Sequence, residues 1–224
     1  MQTPAELRLI ETLTELLRPH DGALPALLSV GAGTSVLVED TLVARGAQFV
    51  SDRLDLIDAH VDRPYVRHVY RCAAQAMSPV APKAYDAAFS NYLLEHVTDV
   101  GGAAAEIYRV LRPGGVYVTS VPNPAALEFR LARWTPLWFH KLVRGHVVGE
   151  KYYSYRSIAG LVKLFETTGF RARDVWHFSS TEDYLQRFPV ARSLARAYDR
   201  ALMSAHARSL MGNVCLVFQK PQAA

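Results

Sequence analysis

The chain has 224 residues, half of them apolar and about a fifth charged, enough to bury a sizeable core within a single α/β domain. Its two cysteines, Cys72 and Cys215, stand far apart and outside metal-ligand spacing, which argues against a disulfide framework or a zinc site and fits a reducing cytoplasm. A net charge of +4 falls short of the dense basic clustering of a dedicated nucleic-acid binder, and no apolar run approaches the ~20 residues of a membrane-spanning helix.

Leu7, Ile10, Leu13 and Leu17 recur at helical spacing, with Glu6, Glu11 and Glu15 among them, so the chain opens on an amphipathic helix unlike a secretory signal. Ala26 to Val30 is a short apolar run ending at Gly31, and Ser35 to Ala44 follows as a helix. A second strand is expected over Ala47 to Ser51, then strands over Val66 to Tyr70 and Tyr85 to Ser90. A helix over Val100 to Leu111 leads through Pro113-Gly114-Gly115 to a strand over Val116 to Val121. Ser157 to Thr168 reads as a helix stopped by Gly169, Phe170 to Phe178 as a strand, and Asn213 to Lys220 as the last strand. Such alternation predicts a mainly parallel sheet covered on both faces, with insertions at about 124–151 and 181–212.

The loop Val30-Gly31-Ala32-Gly33-Thr34 closes the first strand, where missing side chains let the backbone turn tightly and approach a ligand. Asp52 stands 21 positions after Gly31, at the expected end of the second strand, placed to accept hydrogen bonds from a ribose diol. The pair points to an adenosine-containing cofactor. A nicotinamide fingerprint would continue to a third glycine where this chain has Val36, which counts against an oxidoreductase.

Two further segments narrow the reading. Tyr85-Asp86-Ala87-Ala88-Phe89-Ser90-Asn91-Tyr92-Leu93-Leu94-Glu95-His96-Val97 and Glu106-Ile107-Tyr108-Arg109-Val110-Leu111-Arg112-Pro113-Gly114-Gly115 closely resemble the fourth- and fifth-strand signatures of class I S-adenosylmethionine (SAM)-dependent methyltransferases. The resemblance spans about Leu27 to Pro122 and continues more loosely to the final strand. It implies a Rossmann-like, seven-stranded, mostly parallel sheet with helices on both faces and an antiparallel last strand. It further implies SAM as cofactor and S-adenosylhomocysteine as product. Val30, Gly31, Ala32 and Gly33 would pack on the cofactor's amino-acid portion, Asp52 with the adjacent Arg53 would serve the ribose, and Ala73 and Ala74 would lie beside the adenine. Ser90, Asn91, Tyr92 and His96 would border the methionine end. Two positions depart from the family pattern: Ser29 stands where an acid often precedes the loop, and Ala73 where an Asp commonly meets the adenine.

A sulfonium methyl is already activated, so holding the acceptor in line and excluding water would suffice, with a general base for a hydroxyl acceptor. His140 and His146 are the candidate bases, His96 is a further candidate catalytic-site residue, and no metal site is expected. The 124–151 insertion would cover the acceptor. Its stretch 127–144 interleaves Phe129, Trp134, Trp138 and Phe139 with Arg130, Arg133, Lys141 and Arg144, either as a lid with a solvated basic side or as a peripheral membrane contact. Arg192, Arg196 and Arg200 share one helical face that could meet phosphate or an oligomer partner. The expected reaction is O-methylation of a small metabolite or a glycan or carrier-linked acceptor. The alternative is a degenerate member that serves as a binding partner, motivated by Ser29 and Ala73.

Overall fold

The structure is a computed structural model that describes residues 2–18, 22–126, 154–179, 181–184, 189–205 and 207–222. Helix α1 (Pro4–Leu16) starts where Thr3 caps the first turn, its hydroxyl accepting from the Glu6 N–H, with Pro4 in the position where a missing N–H costs nothing. The chain continues through β1 (Ala26–Val30), α2 (Leu37–Ala44), β2 (Val50–Asp55), β3 (Val66–Arg71), β4 (Tyr85–Asn91) and a 3₁₀ turn at Leu94–His96. Then come α3 (Val100–Val110), β5 (Leu111–Pro122), α4 (Ile158–Thr167), β6 (Arg171–Phe178), α5 (Thr181–Tyr184), α6 (Pro189–Ser204) and β7 (Asn213–Gln219). Asp99 and Ser157 cap α3 and α4 through the N–H groups of Gly102 and Gly160.

The strands form one sheet in the order β3-β2-β1-β4-β5-β7-β6. All neighbours are parallel except β7, which runs antiparallel to both β5 and β6. Five consecutive residues of β1 are buried because helices cover it on both sides. On one face α1 lays Leu9, Ile10 and Leu13 over Leu27, Phe89, Val118 and Val217, alongside Leu42 of α2. On the other, α3 and α4 cover Leu28, Ala88, Tyr117 and Phe218, where Phe165 stacks on Phe218 with ring centroids 4.4 Å apart.

The second strand departs from the expectation. Ala47 and Gln48 still belong to the exit from α2, their N–H groups donating to Leu42 and Leu17 carbonyls, and the strand runs on through Asp52, Arg53 and Leu54 to Asp55. The sequence pattern places the boundary just before the first charged residue, Asp52. Asp52 and Arg53 stay in the strand because each is buried with partners of its own.

Candidate functional site

The sheet order reverses between β1 and β4, and an open crevice forms at the carboxyl ends of strands on either side of such a point. Val30 is buried at the end of β1 and pairs with Leu54, so Gly31 stands beside Asp55. The N–H groups of Gly31 and Ala32 both donate to the Leu54 carbonyl, at 2.8 and 3.0 Å. Gly31 and Gly33 hold φ values of +69° and +52°, which side-chain-bearing residues rarely adopt. A Cβ on Gly31 would lie 2.4 Å from the Leu93 side chain, which packs on the bare backbone from the far side of the reversal. Around Gly33 the same test meets nothing within 4 Å, so the loop there faces open space.

Asp52 lies in the middle of β2, not at its end, and its side chain is spent inside the protein. Arg67 grips it with two N–H groups at 3.1 and 2.7 Å, the His68 backbone N–H donates at 3.1 Å, and the Tyr85 hydroxyl donates at 2.6 Å. Burial and this carboxylate together push the Tyr85 phenol pKa up. The residue at the strand's carboxyl end is Asp55. It accepts from the N–H of Gly33 at 2.8 Å and of Ile57 at 3.1 Å, which leaves further acceptor capacity on both oxygens. Arg53, expected to serve the ribose beside Asp52, is wholly buried. Its guanidinium lies under the glycine loop, donating to the carbonyls of Ala32, Gly33 and Ser35 and to buried Glu39.

Beyond β3, the Cys72 N–H donates to the Asp55 carbonyl, which brings Ala73 to the same edge; Ala74 is buried in the core. The Ser90 hydroxyl turns inward, hydrogen-bonded to Tyr117 and Thr119, and burial pushes the Tyr117 phenol up to about 12. Asn91 ends β4 and Tyr92 follows at φ +53°. Both meet the first turn of α1: Asn91 donates to Glu6 at 2.8 Å, and the Tyr92 and Thr3 hydroxyls bond at 2.7 Å. Ser120 on β5 donates to Asn91. His96 sits on the 3₁₀ turn after β4, partly exposed, with Nε2 3.9 Å from Glu95. The structure thus gathers Gly31, Ala32, Gly33, Ala73, Asn91 and Tyr92 along one edge.

His140, His146 and the stretch 127–144 lie outside the described residues. Among the described residues, no group of three or more His, Cys, Asp or Glu side chains could hold a metal ion, and no helix is long and apolar enough to cross a membrane. Asp55, Glu6, Glu39 and Ser120 are not among the site residues that the sequence singles out. Only Asp55 carried a local signal, as the second acid of Asp52-Arg53-Leu54-Asp55.

A glycine loop at the end of β1, with an acid at the end of the adjacent β2 and a reversal of strand order between β1 and β4, defines an α/β protein built to hold an adenosine-type cofactor. A family model described as a methyltransferase domain matches residues 1–175. The chain belongs to that family, the class I SAM-dependent methyltransferases. It is 30% identical over 167 residues to a probable SAM-dependent methyltransferase of Mycolicibacterium smegmatis, a match covering 70% of this chain and 60% of that protein. A ubiquinone biosynthesis O-methyltransferase of Bradyrhizobium is 30% identical over 129 residues, covering 51% of this chain and 50% of the relative. The chain thus spans between half and about 60% of the length of these curated relatives. Among solved structures, a geranyl diphosphate C-methyltransferase of Streptomyces coelicolor, holding S-adenosylhomocysteine, shares the fold with a TM-score of 0.58 at 17% identity, over 96% of this chain and 79% of that one. SAM is the family's cofactor, and the open, positive-φ Gly33 beside Asp55 fits it.

Proposed function

We propose that this protein transfers the methyl group of SAM to a hydroxyl of a small or carrier-linked acceptor at the carboxyl edge of β1, β4 and β5. The observation that carries the reading is the pairing of the Gly31–Gly33 loop with Asp55, two elements held together by the Gly33 N–H to Asp55 hydrogen bond. In this reading Asp55, in place of Asp52, accepts the ribose hydroxyls, the loop backbone meets the amino-acid portion, and Ala73 borders the adenine. Asn91 and Tyr92 border the methionine end. The cofactor supplies an activated methyl on a sulfonium; the protein orients the acceptor and excludes water. His96 takes the acceptor's proton, being the candidate histidine among the described residues that follows directly on β4.

The O-methyltransferase named among the relatives supports a hydroxyl acceptor. The interleaved basic and aromatic residues of 127–144 support one that is phosphate-bearing or carrier-linked, such as a glycan or lipid intermediate, reached with a peripheral membrane contact. Titration calorimetry with S-adenosylhomocysteine tests the cofactor site. Asp55→Ala is expected to weaken binding at least about tenfold, the loss of charged hydrogen bonds, with the melting temperature little changed. Labelled-methyl transfer from SAM to ubiquinone precursors and lipid-linked sugars then tests the acceptor. No binding by the wild type would sink the reading.

A further inference from the structure

Arg53 spends every part of its guanidinium on one small region. Nη2 reaches the carbonyls of Ala32, Gly33 and Ser35 at 3.2, 3.2 and 2.7 Å, Nε reaches that of Ala59 at 3.2 Å, and Nη1 pairs with Glu39 at 2.5 Å. The arginine side chain is fully buried and Glu39 is 2% exposed. Glu39 comes from α2, which the same loop leads into, and the Ser29 hydroxyl of β1 supports its carboxylate. A buried charge pair of this kind is costly unless its hydrogen bonds are complete, and here they converge on the loop.

A trans peptide is planar, so a carbonyl turned one way turns the next N–H the other. With the carbonyls of Ala32, Gly33 and Ser35 drawn down to Arg53, the N–H groups of Gly33, Thr34 and Val36 point away from it. That of Gly33 goes to Asp55, and those of Thr34 and Val36 turn outward beside exposed Thr34. Two backbone N–H groups of one loop, unclaimed within it and turned to the same side, can donate together to an anion.

We infer that Arg53, held by Glu39, is a positioning residue: it turns the glycine loop's amides toward the carboxylate of the cofactor's amino-acid portion while touching no ligand itself. The inference rests on the cofactor reading above and adds a residue pair that acts through the loop. Lysine keeps the charge for Glu39 but lacks the planar fork that serves several carbonyls together.

The test compares two probes on the full chain: S-adenosylhomocysteine, and methylthioadenosine, which has the adenosine portion without the amino-acid portion. In Arg53→Lys, the dissociation constant for S-adenosylhomocysteine is expected to rise about tenfold or more, while that for methylthioadenosine stays within about twofold. Glu39→Gln, which leaves the arginine's carbonyl bonds in place, is expected to move in the same direction by less, and carries the test if Arg53→Lys does not fold. Equal loss of both probes marks general damage to the fold and overturns the inference, as does no loss of either. A wild type that binds neither probe removes the cofactor reading itself, a result distinct from both.

Discussion

The two sides of the sheet use charge in opposite ways. On the β1–β2 side, Asp52, Arg53 and Glu39 are almost wholly buried, and each answers to several partners at once. On the β6–α6 side, Glu182 bonds Arg192 at 3.0 Å and Arg196 at 2.6 Å, and both arginines are nearly half exposed, at 48% and 47%. Buried groups interact in a low dielectric and lose much if one partner goes, whereas exposed groups exchange a partner for water at little cost. The side that carries the glycine loop is therefore the one whose geometry is fixed by charge.

The sharpest contrast lies within β2 itself, between two acids three residues apart. Asp52→Ala removes the acceptor of the buried Tyr85 hydroxyl and the His68 N–H together with the partner of Arg67. The expected loss is about 3 kcal/mol of unfolding free energy, the penalty for buried groups left unpaired, read from urea denaturation. Ligand affinity of the fraction that remains folded should stay near that of the wild type. Asp55→Ala should do the reverse, sparing stability and losing the ligand. If Asp52→Ala abolished binding in a chain as stable as the wild type, the assignment of the two acids would be reversed.

The sequence pattern carried much of this fold because most elements obey local rules. Strand β1 is a continuous apolar run closed by a glycine, and α3 and α4 begin at capping residues, so their bounds stand close to those expected. Strand β2 runs further than the pattern suggests because Asp52 and Arg53 look like a strand's end until their partners are known, and those partners come from β3, β4 and α2. The glycine loop was legible for the same local reason as β1. The α1 side of the crevice was not, since Glu6 meets Asn91 and Thr3 meets Tyr92 across 85 and 89 positions of sequence. The row Arg192, Arg196 and Arg200 does fall within a helix, but its first two members answer Glu182.

A smaller effect tests how far burial matters on the β6 side. His177 ends β6 beside Phe178; burial and the charge of Arg208 lower its pKa below the ordinary 6.5, although its N–H donates to the Arg208 carbonyl. Its Nδ1 is buried without a hydrogen-bond partner among the described residues. The unfolded chain takes up this proton near pH 6.5 and the folded chain only at lower pH. The unfolded state thus binds more protons in that window, and stability falls as pH drops below 6.5. Replacing the ring by glutamine should flatten that part of the curve of melting temperature against pH; an unchanged slope would show that the folded chain takes up this proton as readily as the unfolded one.

The least effect is expected at Glu182. The hydrogen bond from Arg196, aided by that from Arg192, holds its carboxyl down to about 2, so the cluster stays charged in mild acid and is lost only as pH falls from 4.5 toward that value. The attachment of α5 to α6 does not depend on it. Asp199, 8% exposed, accepts from the Ser179 hydroxyl at 2.5 Å and from the Glu182 backbone N–H at 2.8 Å, and a side-chain change at position 182 leaves both in place. Glu182→Gln should therefore move the melting temperature by no more than about two degrees at pH 7 in moderate salt. Near pH 2 even that difference should vanish, because the wild-type carboxyl is then itself becoming neutral. A loss at pH 7 as large as that of Asp52→Ala would mean that the exposed cluster fixes geometry as the buried one does, and the division between the two sides of the sheet would fail.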